Sequence, residues 1–225
     1  ESVYLNEETN ELIERQSNAV VRYINGDPID SSKPDVIAGA AVGNLVDILG
    51  REIFAGNKVN FEAIQKEANI ANEESGYNIK VGEDVVTKLK LILSNIYDEL
   101  IASGHTIVSK DVFITAQYNN KEAQLSGLSG IGGTLDLIAI DKNGVAHIID
   151  FKNIKLTEKN KNRTFENIFG GGRYASKVES WSNQQTAYKI ITEKYGVPVG
   201  SINILGVSTE YEYDETDSEI ELKNV

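Results

Sequence analysis

Gly133-Thr-Leu-Asp136-Leu-Ile-Ala-Ile-Asp141-Lys-Asn-Gly144-Val-Ala-His-Ile-Ile-Asp150-Phe-Lys152 is the stretch whose reading decides the fold. Two runs rich in Leu, Ile and Val flank Asp141-Lys142-Asn143-Gly144, which has the composition of a hairpin turn. A two-residue Asn-Gly loop and a three-residue loop ending in a left-handed glycine are both open, and they give different registers. With Gly144 as a bulge residue, Asp141 pairs with Val145, and counting outward sets Asp136 opposite Asp150. The two-residue loop sets Asp136 opposite Phe151 and splits the carboxylates between faces. The three-residue form is preferred here because it gives both acids a common purpose.

On the second strand Asp150 and Lys152 are two apart and share a face, while Ile149 and Phe151 point to the other. Facing carboxylates have Cβ atoms roughly 4.5–5.5 Å apart, and burying them together is costly unless a cation neutralises them. A divalent ion would do so, with Lys152 placed to stabilise an attacking hydroxide or a charged phosphate. The plainer reading is an Asp150–Lys152 surface ion pair with Asp136 unrelated to it, and spacing alone does not separate the two.

Outward from the hairpin, Val85, Val86, Leu89, Ile92, Leu93, Ile96 and Leu100 follow the helical period over Gly82–Ala102, and His105–Tyr118 reads as a strand. Lys155–Gly172 is polar, ends in three glycines and reads as a mobile loop. Arg173–Tyr195 reads as a helix and Ser201–Ser208 as a last strand. Upstream, helices are expected over Asn6–Ile24, Ala38–Ala55 and Phe61–Asn72. The expected architecture is α/β: helix, three strands, helix, strand from residue 81 to 225, a mixed sheet flanked by helices. Residues 1–80 would form a helical extension packed on that core.

The segment resembles the PD-(D/E)XK nuclease superfamily, and more narrowly its RecB-like exonuclease branch. Gly133-x-x-Asp136, the hairpin, then Asp150-Phe151-Lys152 match the first two motifs. Gln184-Gln185-Thr186-Ala187-Tyr188 matches a Q-x-x-x-Y motif on the following helix, with Gln184 and Tyr188 one turn apart. The likeness covers roughly residues 105–208 and the N-terminal part only loosely. It implies a restriction-endonuclease-like core and a deoxyribonuclease with Asp136, Asp150, Lys152, Gln184 and Tyr188 at its centre. It also implies Mg²⁺ or Mn²⁺ held by Asp136, Asp150 and the Phe151 carbonyl. Such nucleases usually add an upstream helical ligand, often histidine in G-x-x-x-H; here Gly43 is followed by Asp47, and Glu52, Glu83 and Asp98 are substitutes. Alanine at Asp150 or Lys152 is expected to abolish cleavage with little loss of folding.

Composition narrows the rest. Without cysteine there is no disulfide or thiolate metal site, and two histidines leave any metal to oxygen ligands. His105 and His147 read as structural residues. The net charge of −12 weighs against a nucleic-acid partner. Much of that excess lies in Glu210, Glu212, Asp214, Glu215, Asp217, Glu219 and Glu221, taken as solvated surface. Lys152, Lys155, Lys159, Lys161 and Arg163 form a local basic run, while Arg173 and Lys177 read as solvated helix charges. The expected partner is DNA, single-stranded or at duplex ends, with a helicase, polymerase or other protein of a larger assembly as further candidates. No apolar run is long enough for a membrane span, and the cytoplasm of a bacterium or phage-infected cell is the expected compartment. The alternative is an inactive nucleic-acid-binding or protein-interaction module on the same fold.

Overall fold

The computed structural model describes residues 3–15, 33–74, 79–117, 119, 128–153, 164–166, 174–208, 210–215 and 219–225. The central hairpin joins β5 (Gly130–Ile140) to β6 (Ala146–Asn153). Asp141 makes its turn. The Asp141 N–H donates to the Val145 carbonyl at 2.9 Å, Gly144 N–H donates to the Asp141 carbonyl at 3.0 Å, and the Asp141 carboxylate accepts from Asn143 and Val145 N–H at 2.8 and 3.0 Å. Gly144 sits at φ +78°, a conformation glycine adopts without strain. The pairs Leu137–Ile149, Ile138–Ile148, Ala139–His147 and Ile140–Ala146 are the register of the three-residue loop. One step further brings Asp136 opposite Asp150.

A mixed sheet grows around this hairpin. β4 (Thr106–Gln117) runs antiparallel along the whole of one edge of β5, and β9 (Val199–Val207) lies parallel to β6. The other edge of β5 is shared. β6 pairs with residues 137–140, and β2 (Glu11–Arg15), which forms a hairpin with β1 (Val3–Asn6), pairs in parallel with Gly130–Gly132. Residues 133–136 of β5 therefore have no strand beside them on that edge among the described residues.

Two hydrophobic clusters flank the sheet. One unites α1 (Pro34–Phe54), α2 (Phe61–Glu74) and α3 (Glu83–Ala102) with Leu137 and Ile149. In α1 the buried residues Ala38, Val42, Leu45, Val46, Leu49 and Ile53 recur at helical spacing, and Pro34 suits the first turn, where its missing N–H leaves no bond unmade. The other cluster holds Leu135, Ile138, Ile148 and Val199 with Tyr188 of α4 (Lys177–Lys194). Strict alternation would pack Leu135 and Leu137 together. They fall in different clusters, so β5 changes its neighbours at Asp136.

Several expectations need correction. The described part of Asn6–Ile24 is not helical: residues up to Arg15 form the β1–β2 hairpin, and 16–24 lie outside the described residues. The first 80 residues are thus not a purely helical extension; they supply two strands to the sheet and share the α1–α3 core. The expected loop at Lys155–Gly172 contains β7 (Thr164–Glu166), paired with β8 (Tyr174–Ser176). The rest of that loop and Arg173 lie outside the described residues. Glu210, Glu212, Asp214 and Glu215 are exposed, as expected of solvated surface, but Ser201–Ser208 is not the last strand. β10 (Glu210–Asp214) and β11 (Glu219–Asn224) form a hairpin whose Ile220 and Leu222, 2% and 1% exposed, enter the helical core. β11 pairs in turn with β3 (Ile79–Val81). No helix among the described residues is long and apolar enough to cross a membrane.

Candidate functional site

At the open stretch of the β5 edge the ladder is replaced by side-chain chemistry. Where the strands part, Phe151 N–H donates to the Asp136 carboxylate at 2.7 Å. This fixes Asp136 against β6 and leaves its second oxygen outside that bond. Asp150 is 3% exposed. Lys152 Nζ donates to Asp150 Oδ1 at 3.0 Å and lies 2.7 Å from Oδ2, an ionic contact without hydrogen-bond geometry. One oxygen of a buried carboxylate is therefore left short of a hydrogen-bond donor, a state costly enough to call for a partner.

A cavity of about 150 Å³ opens here between α1 and the hairpin, lined by Val42, Val46, Asp47, Asp136, Phe151 and Lys152. Phe151 turns its ring toward α1, with its centroid 6.0 Å from that of Phe54. This agrees with the expectation that Phe151 leaves the face of Asp150 and Lys152. Asp47, one turn beyond Gly43, lines the cavity and acts electrostatically on Asp136. The substitutes do not line it: Glu52 accepts from Asn57 at 3.0 Å, and Glu83 and Asp98 are exposed on α3.

The surroundings disfavour a charged Asp136. Burial, then the Asp150 carboxylate and more weakly Asp47, push the Asp136 carboxyl up to about 7; the Phe151 N–H and Lys152 pull the other way without overcoming them. Among the described residues no three His, Cys, Asp or Glu side chains converge into a ready cluster of metal ligands. Asp47 and Asp136 line the cavity, and Lys152, which lines it too, takes up part of the coordinating capacity of Asp150.

α4 closes the other side. A Cβ on Gly133 would lie 2.5 Å from Tyr188 Oη and 2.8 Å from Tyr188 Cε1, so only glycine lets this ring reach the gap in the sheet. Gln184 is hydrogen-bonded to Tyr188. Burial, with Asp150, Asp136 and Tyr4 adding, pushes the Tyr188 hydroxyl up to about 12, so it stays a neutral donor. The structure thus brings together Asp47, Asp136, Asp150, Phe151, Lys152, Gln184 and Tyr188.

Other residues stand apart or were missed. His147 shares Nδ1 with the Ser201 hydroxyl at 2.7 Å and meets the ring of His105 edge-on at the turn end of the hairpin. The side chain of Lys177 lies outside the described residues. Gln185, 1% exposed, has neither amide atom bonded; it stands beside Gln184 in the motif, and a buried amide is invisible to sequence spacing. Tyr4, which lies near Tyr188, precedes the Asn6–Ile24 stretch read as helix and was given no role. No protein-family model matches the chain, and no curated protein is similar to it in sequence.

Proposed function

We propose that the chain is a metal-dependent nuclease that hydrolyses phosphodiester bonds of DNA, on a restriction-endonuclease-like core of the PD-(D/E)XK type. The single observation that carries this reading is the hairpin register. It brings Asp136 and Asp150 together, hangs Lys152 on Asp150, and opens the group onto a cavity bordered by Asp47. A structural ion pair would need neither the second carboxylate nor the third acid.

The donor set fits a hard divalent cation, Mg²⁺ or Mn²⁺. It is all oxygen, one Asp150 oxygen lacks a donor, and Asp136 is held uncharged to about pH 7 by burial first and then by carboxylates that a cation would neutralise. Asp136 and Asp150 would hold the ion, with Asp47 across the cavity and the Phe151 carbonyl as the backbone contribution. When bound, such an ion supplies Lewis-acid stabilisation of the phosphoryl oxygens and of the leaving group.

The chain's own groups do the rest. The Phe151 N–H orients the Asp136 carboxylate. Lys152, held by Asp150, presents its ammonium to the cavity, where it can bind a phosphate oxygen and steady the attacking water. Tyr188, neutral at any working pH, can donate a hydrogen bond, and Gln184 holds its hydroxyl.

The burial of Asp150 changes the choice of test. Alanine at Lys152 would leave the Asp150 charge buried and unpaired, typically a loss of about 3–5 kcal/mol, so that variant would test folding together with cleavage. Asp136→Asn keeps an acceptor for Phe151 N–H and removes the charge. End-labelled single- and double-stranded DNA incubated with Mg²⁺, Mn²⁺ or EDTA should be cut by the wild-type chain only with metal, and not by Asp136→Asn. Cleavage that persists in EDTA or in that variant refutes the assignment. Absence of products from folded wild-type protein in every metal favours the binding-module alternative.

A further inference from the structure

On the part of the sheet that the β1–β2 hairpin adds lies a partly exposed aromatic pair with no part in the steps above. The rings of Tyr4 in β1 and Phe113 in β4 meet edge to face, centroids 4.8 Å apart and planes at 73°. These strands are not neighbours; β2 and β5 lie between them. The contact exists because Gly132 lacks a side chain. A Cβ there would lie 3.1 Å from Phe113 Cζ, 3.2 Å from Ile13 Cγ2 and 3.0 Å from Thr115 Cγ2, so the Phe113 ring lies across the bare backbone toward β2. Phe113 is nevertheless 47% exposed. The Arg15 guanidinium stands over the Tyr4 ring, 5.6 Å from its centroid.

The patch and the pocket lie along the same strand: Gly132, over which the Phe113 ring lies, and Asp136, which lines the pocket, both belong to β5. From Gly132 to Asp136 is four residues of strand, about 13 Å, the reach of a few nucleotides. Exposed aromatic faces with an adjoining guanidinium are what unpaired bases stack on, and base pairing in a duplex hides those base faces. A net charge of −12 weakens general attraction of a polyanion, so contacts to the bases would supply more of the affinity.

We infer that Tyr4, Phe113 and Arg15 form a stacking platform for unpaired bases of a single DNA strand, the same strand whose backbone reaches Asp136. This rests on the nuclease reading for the path of the strand, and it names the form of the substrate: single-stranded, held by its bases.

The test is binding, with Ca²⁺ replacing the activating ion to suppress cleavage. Fluorescence anisotropy would compare a labelled oligothymidylate of about 12 nucleotides with an abasic strand of equal length. The wild type should prefer the base-bearing strand by roughly 5- to 150-fold for each base stacked. Phe113→Ala should lose most of that preference while leaving affinity for the abasic strand unchanged, and Phe113→Trp should keep it. Equal affinity for the two strands, or an unaltered preference in Phe113→Ala, overturns the platform. So does self-association of the chain that Phe113→Ala abolishes, since a second copy would then be the occupant. The two readings fail separately. Metal-dependent cleavage without base preference removes the platform and keeps the nuclease; base-dependent binding without cleavage in any metal does the reverse.

Discussion

Replacing Asp136 by asparagine should stabilise the metal-free protein, and by an amount that grows with pH. The Asp136 carboxyl is raised from 3.8 to about 7, first by burial and then by Asp150. Between those values the native chain binds more protons at this site than the unfolded chain, so stability falls as pH rises through that window and levels off above it. At about 1.4 kcal/mol per pH unit the full interval amounts to on the order of 4 kcal/mol, and solvent at this partly exposed group trims it to about 2–4 kcal/mol. Asparagine keeps the acceptor for Phe151 N–H and has no charge to lose. Wild type and Asp136→Asn should therefore melt together near pH 4 in EDTA and diverge by roughly 5–15 °C at pH 8, the variant higher. Added Mn²⁺ at pH 8 should raise the wild-type midpoint and leave the variant where it was. Thermal melts at five or six pH values would decide it. A difference that is flat with pH, or a variant less stable at pH 8, refutes the reasoning, because it would mean the charge on Asp136 is already compensated.

Further consequences are open to direct measurement. Lys152→Ala should destabilise by about 3–5 kcal/mol through the stranded Asp150 charge, and Asp150→Asn combined with it should recover much of that in denaturant titrations; additive losses would show that the pair is not coupled. Gly133→Ala drives a Cβ into Tyr188 and should cost roughly 1–3 kcal/mol. Tyr188→Phe, which removes the nearest atom, should relieve part of that cost, so a double-mutant cycle with no coupling would rule out the close approach. Leu222→Ala should cost about 2–5 kcal/mol in chemical denaturation, whereas a solvated acidic tail would show no loss.

The elements legible in the sequence were those in which period and burial agree. The β5–β6 hairpin was one, because its turn residues and its two acids constrain each other. α3 was another, because Val85, Val86, Leu89 and Leu93, all buried, keep helical spacing. Legibility failed where the decisive partner is distant in sequence. Glu11-Leu12-Ile13-Glu14-Arg15 has too few apolar positions to separate helix from strand; it is a strand because Gly130–Gly132 leave an edge for it to pair with. In Glu210–Glu221 the acids mask a period-2 pattern. Tyr211 alternates with Glu210 and Glu212, and Ile220 with Glu219 and Glu221, so the charge that marked the segment as solvated is only its outer face.

The same distinction runs through the site. The spacing of Asp136, Asp150 and Lys152 could be counted along one hairpin, because register converts sequence distance into spatial opposition. Asp47 could be named only as one of several acids, since its place depends on how α1 crosses the sheet. What no spacing could show is why the carboxylates have room. β6 leaves β5 after Ile149 and β2 leaves it after Gly132, and in the four residues between them Tyr188 and the Phe151 N–H take up positions a ladder would have filled. A continuous sheet would pair those backbone groups with one another and leave no cavity. The interrupted one lets Asp136 line a space that Asp47 and Lys152 also line, so the chemistry proposed here depends on a missing stretch of strand pairing as much as on the residues that line it.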